Sequence, residues 1–254
     1  MEVYEEVVMK KAIILFACAG LLTAGPLGCG DDDDDDIVAE EILESELRVI
    51  HAGLRVPQVD VYLDNTLAIE ALDYGESSGY GTVPSGVHTI DVTCAGSTDT
   101  VVALEEHGLE PEAEATLFVM GSQADLRPVV TIDSQAPAAC RAFVRFVHAA
   151  PDAPAVDVRT GSGEGVPVFE GVSFRGATDY IELEPGAYVF VITEAGDAAP
   201  VAAFEEAELE AGNVYSFTAL GTLNPGDEYD FMGRVYVDND GGDAFTDLVP
   251  DMLQ

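Results

Sequence analysis

The chain has 254 residues, which is enough for one large domain or for two domains of about 100 residues each. It contains 48 acidic residues against 10 basic ones, so its formal net charge is −38. Such a charge repels nucleic-acid phosphates and anionic lipid surfaces, and this excludes a nucleic-acid-binding role. The ordinary interpretation of the acidity is solubility in a salty or extracellular setting.

A secretory leader is predicted at the N-terminus. Lys10 and Lys11 precede an apolar run over residues 12–22, which is the order of a signal peptide. The acidic residues before Met9 have the wrong sign for such a signal, so translation is predicted to start at Met9. Residues 1–28 are assigned to the signal peptide, with its true start at Met9, and its apolar run is short for a permanent membrane span.

Cys29 is the predicted site of a lipid anchor. Gly28 and Cys29 resemble a bacterial lipoprotein cleavage box, in which the cysteine after a small residue is diacylated and becomes the new N-terminus. Pro26 departs from the leucine usual at its position. The alternative is cleavage by ordinary signal peptidase, with Cys29 left as a free thiol. More than one acyl chain makes such an anchor durable.

The six consecutive aspartates at residues 31–36 predict a solvated spacer. Like charges repel and extend a chain, so residues 29–45 are interpreted as a tether that holds the folded part off the membrane. Calcium binding by this run is the alternative, although an unstructured run does not preorganise ligands.

One motif occurs twice, at residues 51–61 and 148–158. Each copy leaves an apolar strand that ends in His-Ala, passes a proline turn and enters a strand that reads Val-Asp-Val. Alternating apolar residues, interrupted by glycine and proline turns every roughly 10 to 15 residues, predict about seven short strands per copy. The alternation in the opening strand predicts one buried face, whereas residues 188–192 are apolar on both faces and predict a central strand.

The predicted fold is therefore all-β, with two tandem immunoglobulin-like β-sandwich domains at residues 46–134 and 141–240. The linker between them is short, which predicts that the domains lie end to end with limited hinge freedom. Residues 241–254 are predicted to be an acidic C-terminal tail.

The repeated openings also carry a resemblance. Residues 48–52 and 145–149, together with the Pro-Asp-Ala-Pro-Ala-Val-Asp-Val stretch at 151–158, resemble a bacterial envelope family known as domain of unknown function 4397 (DUF4397). The first copy departs from the motif at residues 53–55. The resemblance covers two tandem copies over roughly residues 46–240. It implies secreted or lipid-anchored β-rich modules with no established activity.

Two cysteines lie outside the leader, at Cys94 and Cys140. An even pair in an exported protein predicts a disulfide, which would pin the linker to the first domain. Free thiols, or copper or zinc binding, are the alternatives.

The motif residues His51, Asp60, His148 and Asp157 are candidates for chemistry, because an imidazole and a carboxylate recur at the same spacing in both copies. The structural interpretation is that each histidine bonds to the proline turn while each aspartate caps a neighbouring loop. It is favoured, because a fold-forming motif must recur in each copy and an active site need not. Asp152, in the second copy only, belongs to the same motif.

The best metal candidate is the loop that contains Asp238, Asp240 and Asp243, with Asp247 beyond it. Carboxylates that alternate with glycines suit calcium. The loop fails the EF-hand pattern, since Gly242 stands where the third ligand should be and no glutamate ends it. No other cofactor is predicted.

We expect a non-enzymatic, lipid-anchored protein of the bacterial cell envelope, an outer-membrane lipoprotein that faces the periplasm or the outside. It would serve as a binding, adhesive or structural module, with an envelope protein or a glycan as ligand. The alternative is an envelope hydrolase or metal-dependent enzyme that uses the histidine-bearing turns.

Overall fold

The computed structural model describes residues 43–163, 165–224 and 229–252, and these residues form strands and turns without a helix. The predicted leader, Cys29 and the aspartate run lie outside the described residues. Within the described ranges, no helix has the length and apolar character needed to cross a membrane.

The first repeat is a sandwich of two four-stranded sheets. The strands are β1 (Glu44–Leu54), β2 (Val59–Leu63), β3 (Thr66–Leu72), β4 (Gly81–Pro84), β5 (Gly86–Cys94), β6 (Thr100–Leu109), β7 (Glu114–Ser122) and β8 (Arg127–Ile132). One sheet has the order β4-β1-β7-β8 and the other β3-β2-β5-β6. All neighbours are antiparallel except β1 and β7.

The second repeat has two five-stranded sheets and a two-stranded extension. The strands are β9 (Ala142–His148), β10 (Val156–Thr160), β11 (Phe169–Val172), β12 (Ile181–Leu183), β13 (Gly186–Tyr188), β14 (Phe190–Glu194), β15 (Pro200–Phe204), β16 (Ala207–Leu209), β17 (Val214–Leu220), β18 (Met232–Val237), β19 (Phe245–Leu248) and β20 (Pro250–Met252). The sheets have the orders β12-β9-β17-β18-β19 and β11-β10-β14-β15-β20, and β13 pairs with β16. The fold is all-β, as predicted, and β14 is the middle strand of its sheet.

Each sandwich has its own apolar core. Leu47, Val49 and Leu117 belong to the core of the first repeat. Phe146 and Phe217 belong to the core of the second. Alternate side chains of the inner strands point into these cores, because successive residues of a strand face opposite sides of the sheet.

A third apolar cluster lies between the two repeats. It contains Ile50 and Phe118 from β1 and β7, and Val147, Leu220 and Tyr236 from β9, β17 and β18. The β4-β1-β7-β8 sheet therefore packs face to face against the β12-β9-β17-β18-β19 sheet. This arrangement corrects the prediction of domains placed end to end, and it also corrects the prediction of one buried face for β1, which is buried on both.

The C-terminal segment is also different from its prediction. β19 pairs with β18 and β20 pairs with β15, so residues 245–252 extend both sheets of the second repeat. Leu248 is buried in the core, while its neighbours in β19 are exposed. The prediction of an acidic tail was therefore wrong for the described residues, which form two strands. The acidic composition of the segment gave no sign that one of its faces is buried.

Candidate functional site

Both motif histidines are buried and bonded to the proline turn that follows them. His51 Nε2 lies 3.0 Å from the carbonyl oxygen of Pro57, and its Nδ1 accepts a hydrogen bond from the amide of Gly53 at 3.2 Å. This assigns the His51 proton to Nε2. His148 Nε2 likewise lies 3.0 Å from the carbonyl oxygen of Pro154.

Each motif aspartate accepts hydrogen bonds from the backbone of two neighbouring loops. Asp60 accepts hydrogen bonds from the amides of Ala71 and Gly96, at 2.8 and 3.0 Å. In the second repeat Asp157 accepts from Gly171 and Gly196, at 2.7 and 3.0 Å. Histidine and aspartate therefore bond to the backbone in both copies, in agreement with the structural interpretation of the motif.

Asp152 performs a similar task in the second repeat alone. Its carboxylate accepts from the hydroxyl of Thr222 at 2.6 Å and from the amide of Leu223. It fixes the turn after β17 to the proline turn after β9.

Burial lowers the pKa of both motif histidines below the ordinary value of 6.5, although the bonds to Pro57 and Pro154 oppose this. Each imidazole is therefore neutral at pH 7. His148 Nδ1 has no hydrogen-bond partner in the described part of the chain, but the apolar cavity beside it has a volume of about 30 Å³. That is room for one water molecule rather than for a substrate.

Two buried arginines, Arg48 and Arg145, join the repeats. Arg48 donates from Nε to the hydroxyl of Thr116 in its own repeat at 2.8 Å. From Nη2 it donates to Asp238 Oδ1 in the other repeat at 2.7 Å, and its guanidinium stacks over Tyr80. Both members of the Arg48–Asp238 pair are essentially inaccessible to solvent.

Arg145 repeats this arrangement in the opposite direction. It donates from Nε to the hydroxyl of Ser216 in its own repeat at 2.7 Å and stacks over Tyr180. Its Nη1 pairs with Asp133 Oδ1 of the first repeat at 2.6 Å. Each repeat thus supplies one arginine to the other repeat and receives one in return.

The hydroxyls of the two stacked tyrosines complete the network. Tyr80 donates to Asp133 at 2.6 Å, and Tyr180 donates to Asp238 at 2.8 Å. Burial raises the pKa of both tyrosines, so both remain neutral donors. Burial by itself lowers the pKa of Arg48, but Asp238, Tyr80 and Asp133 outweigh it and the pKa lies above its ordinary range. Arg48 therefore stays charged at any physiological pH.

The predicted calcium residues are not brought together as a site. Asp238 is committed to Arg48 and Tyr180, and Asp247 pairs with Arg234. Asp240 and Asp243 are exposed in the turn between β18 and β19. In the described ranges no three His, Cys, Asp or Glu side chains are grouped for a metal ion. The prediction rested on the spacing of carboxylates along the chain, which does not reveal that Asp238 and Asp247 pair with arginines.

The disulfide prediction is also corrected, because Cys94 and Cys140 are free cysteines. Cys94 lies in β5 opposite Val59, the first residue of β2, which follows the end of β1 in the chain. Asp133, just before the linker to Cys140, donates its amide to the carbonyl of Glu114 in β7. Glu114 lies beside the start of β1. The length of β1, on the order of 30 Å, separates these two ends. Bonded cysteines have Cα atoms within roughly 7 Å.

The network was missed at the level of sequence, although one signal for it exists. An arginine stands three residues before each motif histidine, in strands that are otherwise apolar. A charge that recurs within a buried strand must be paired, since an unpaired buried charge is too costly. Its partners, Asp133 and Asp238, could not be identified without the fold.

Comparisons with known proteins give one match to a family model, over part of the chain. Residues 45–159 match the family model described as "Domain of unknown function (DUF4397)", which supports the resemblance. No curated protein matches the chain. Among solved structures the chain is similar to "The Bacillus anthracis TIE protein", at 11% identity over 83% of this chain and 46% of that one, with a TM-score of 0.23. The chain spans less than half of that protein, and so weak a likeness carries no functional argument.

Proposed function

We propose that the protein is a non-enzymatic, lipid-anchored component of the cell envelope whose two repeats act as one rigid binding or structural unit. The carrying observation is that the only recurring imidazole–carboxylate motif is used for backbone hydrogen bonds in both copies. A catalytic base must have a ring nitrogen free to take a proton. His51 has both nitrogens engaged. His148 Nδ1 has no partner in the described part of the chain, but it is buried beside a cavity with room for one water molecule rather than for a substrate.

The interface between the repeats supports the rigid unit. A surface shared by two independently moving domains is ordinarily polar. Here apolar side chains from both repeats, among them Phe118 and Val147, are fully buried against one another. The exchanged arginines add pairs that rotation of one repeat against the other would break.

The anchor and the location rest on the leader alone. A basic and then apolar segment, a small residue before Cys29 and an acidic spacer occur in the order of a bacterial lipoprotein. The high negative charge keeps the folded part off anionic lipid, so attachment would depend on acyl chains rather than on surface electrostatics.

The proposal is tested in two independent parts. For the anchor, cells that express the protein are labelled with radioactive palmitate, and label is expected on the wild type and on Cys18→Ser but not on Cys29→Ser. Label on Cys29→Ser would overturn the anchor. Protease treatment of intact cells then tells periplasmic from surface-exposed protein.

For the motif, His51→Ala and His148→Ala are each expected to lower the melting temperature, since each removes a buried ring and its hydrogen bond to the proline turn. Loss of a hydrolytic or metal-dependent activity with an unchanged melting temperature would support the enzyme alternative instead.

A further inference from the structure

The two repeats differ at one sheet edge. β7 and β8 of the first repeat correspond to β17 and β18 of the second, because Thr116 faces Thr131 as Ser216 faces Tyr236. Asp133 and Asp238 follow at equivalent places and take the same kind of bonds. In the second repeat β19 covers the outer edge of β18, whereas within the described ranges β8 is the last strand of its sheet.

The outer edge of β8 offers backbone groups for a further strand. The amide of Asp133 bonds inward, to Glu114 of β7. Because bonding direction alternates along an antiparallel strand, the amides of Ile132 and Val130 point outward. In the second repeat the equivalent amide, that of Val237, bonds to Ala244 in the turn that leads to β19. Pro128 also fits an open edge, where its missing N–H breaks no ladder bond.

The two exchanged arginines differ in whether their third side-chain nitrogen has a hydrogen-bond partner. Arg48 uses its third nitrogen, Nη1, to donate to the carbonyl of Gly242 in the β18–β19 turn at 3.3 Å. The third nitrogen of Arg145, Nη2, has no hydrogen-bond partner within the described residues, and the side chain is buried. An unmade bond by a buried guanidinium is costly, and an acceptor placed there would relieve the cost.

A cleft borders Arg145 on the side of β8. It has a volume of about 540 Å³ and is lined by β8, by Ser134 and Gln135 after it, by Arg145 and by residues 177–180 of the second repeat. On the other side of the interface the equivalent space holds the β18–β19 turn. There the amide of Tyr80 donates to Gly241 at 2.8 Å and the hydroxyl of Ser77 donates to Gly242 at 2.5 Å.

We propose that this cleft, called the β8 cleft from here on, binds an extended segment of another polypeptide that pairs antiparallel with β8 and places a carbonyl on Arg145 Nη2. This inference rests on the proposed binding function and gives it a place and a class of partner. The β18–β19 hairpin shows, within the same chain, what an occupant of this position looks like. Recognition is by strand addition, in which backbone bonds provide the affinity.

The net charge of the chain indicates which kind of segment the β8 cleft would bind. A chain of net charge −38 repels a second copy of itself, so a neutral or basic segment is favoured. Arg234, which pairs with Asp247 of β19, is replaced by Val129 at the equivalent position of β8. An acidic residue of the bound segment at the position of Asp247 would therefore have no arginine of β8 to pair with. Ile132, 59% exposed, offers an apolar contact at the mouth of the cleft.

The test uses a synthetic peptide with the sequence of residues 239–249, in which Asp240, Asp243 and Asp247 are replaced by asparagine. Binding to the full chain is measured by fluorescence anisotropy, with a scrambled peptide as control. Ile132→Pro removes an outward amide, and we expect it to weaken binding by about tenfold or more. Ile132→Ala keeps the amide and is expected to stay within about twofold.

Hydrogen exchange of the complex is expected to slow at Val130 and Ile132. Equal binding by Ile132→Pro and Ile132→Ala, protection elsewhere, or no binding at millimolar peptide would overturn the proposal. The melting temperatures of the two variants show whether each is folded. A dimer without peptide that Ile132→Pro abolishes would make a second copy the occupant, which also overturns it. None of these outcomes depends on palmitate labelling or on the histidine variants, so the two proposals can fail separately.

Discussion

Asp133 is one of the two buried carboxylates that pair with an arginine of the other repeat. It pairs with Arg145 at 2.6 Å, lies 3.7 Å from Arg48 and accepts a hydrogen bond from the hydroxyl of Tyr80. Asp133→Ala would leave Arg145 buried without a bonded carboxylate, whereas Arg48 would keep Asp238. Breaking a buried pair by removing one partner costs about 3–5 kcal/mol. We expect the free energy of unfolding to fall by that amount and the melting temperature by on the order of 10 °C.

Urea unfolding at pH 7 in physiological salt measures this loss. Arg127→Ala is the matched control, because Arg127 pairs with Asp125 on the surface with both side chains more than half exposed. Such a pair contributes about 1 kcal/mol or less. Asp133→Asn combined with Arg145→Met removes both charges and keeps an amide for Tyr80, so the double variant should be more stable than Asp133→Ala. If Asp133→Ala costs no more than Arg127→Ala, the network is not desolvated and the reasoning fails.

The remaining predictions concern the motif, a strained turn and the cysteines. Burial lowers the pKa of both motif histidines in the folded state. Their contribution to stability is therefore complete above about pH 6.5 and is lost as the pH falls through the folded pKa. The free energy of unfolding in urea should fall with pH in this range, and glutamine at both positions should reduce that fall. Ala71 has a φ of 53° where its counterpart Gly171 has 61°, so Ala71→Gly should stabilise and Gly171→Ala destabilise by about 1 kcal/mol each in thermal unfolding; the same sign for both would contradict this. Alkylation without reductant, read by peptide mass spectrometry, should label both Cys94 and Cys140; a disulfide-linked peptide would restore the bond that the structure leaves out.

Much of the local structure follows from short stretches of sequence. Period-two alternation, as in Val59 and Val61, specifies a strand, and the proline and glycine turns specify where strands end. The repeated His-Ala and Val-Asp-Val phrases predict one structural solution used twice. The bonds of His51 and Asp60 to nearby turns are of this kind, since each side chain serves its own motif and the loops beside it.

The β8 cleft could not be predicted in this way. The strand order that leaves β8 at an edge and covers β18 depends on β19, more than a hundred residues later in the chain. Nothing in residues 127–132 alone distinguishes an edge strand from an inner one, apart from Pro128.

By itself the sequence determined that the chain forms sheets, that it forms them in two related copies, and that its surface is strongly acidic, because these properties depend on neighbouring residues and on composition. The tertiary structure alone decided that the copies pack face to face and that Arg48 and Arg145 exchange partners across the interface. It also decided that, among the residues it describes, Arg145 Nη2 has no hydrogen-bond partner and β8 lies at a sheet edge. The physical reason is that burial of a second sheet face and pairing of a buried charge are settled by contacts between residues far apart in sequence, such as Arg48 and Asp238.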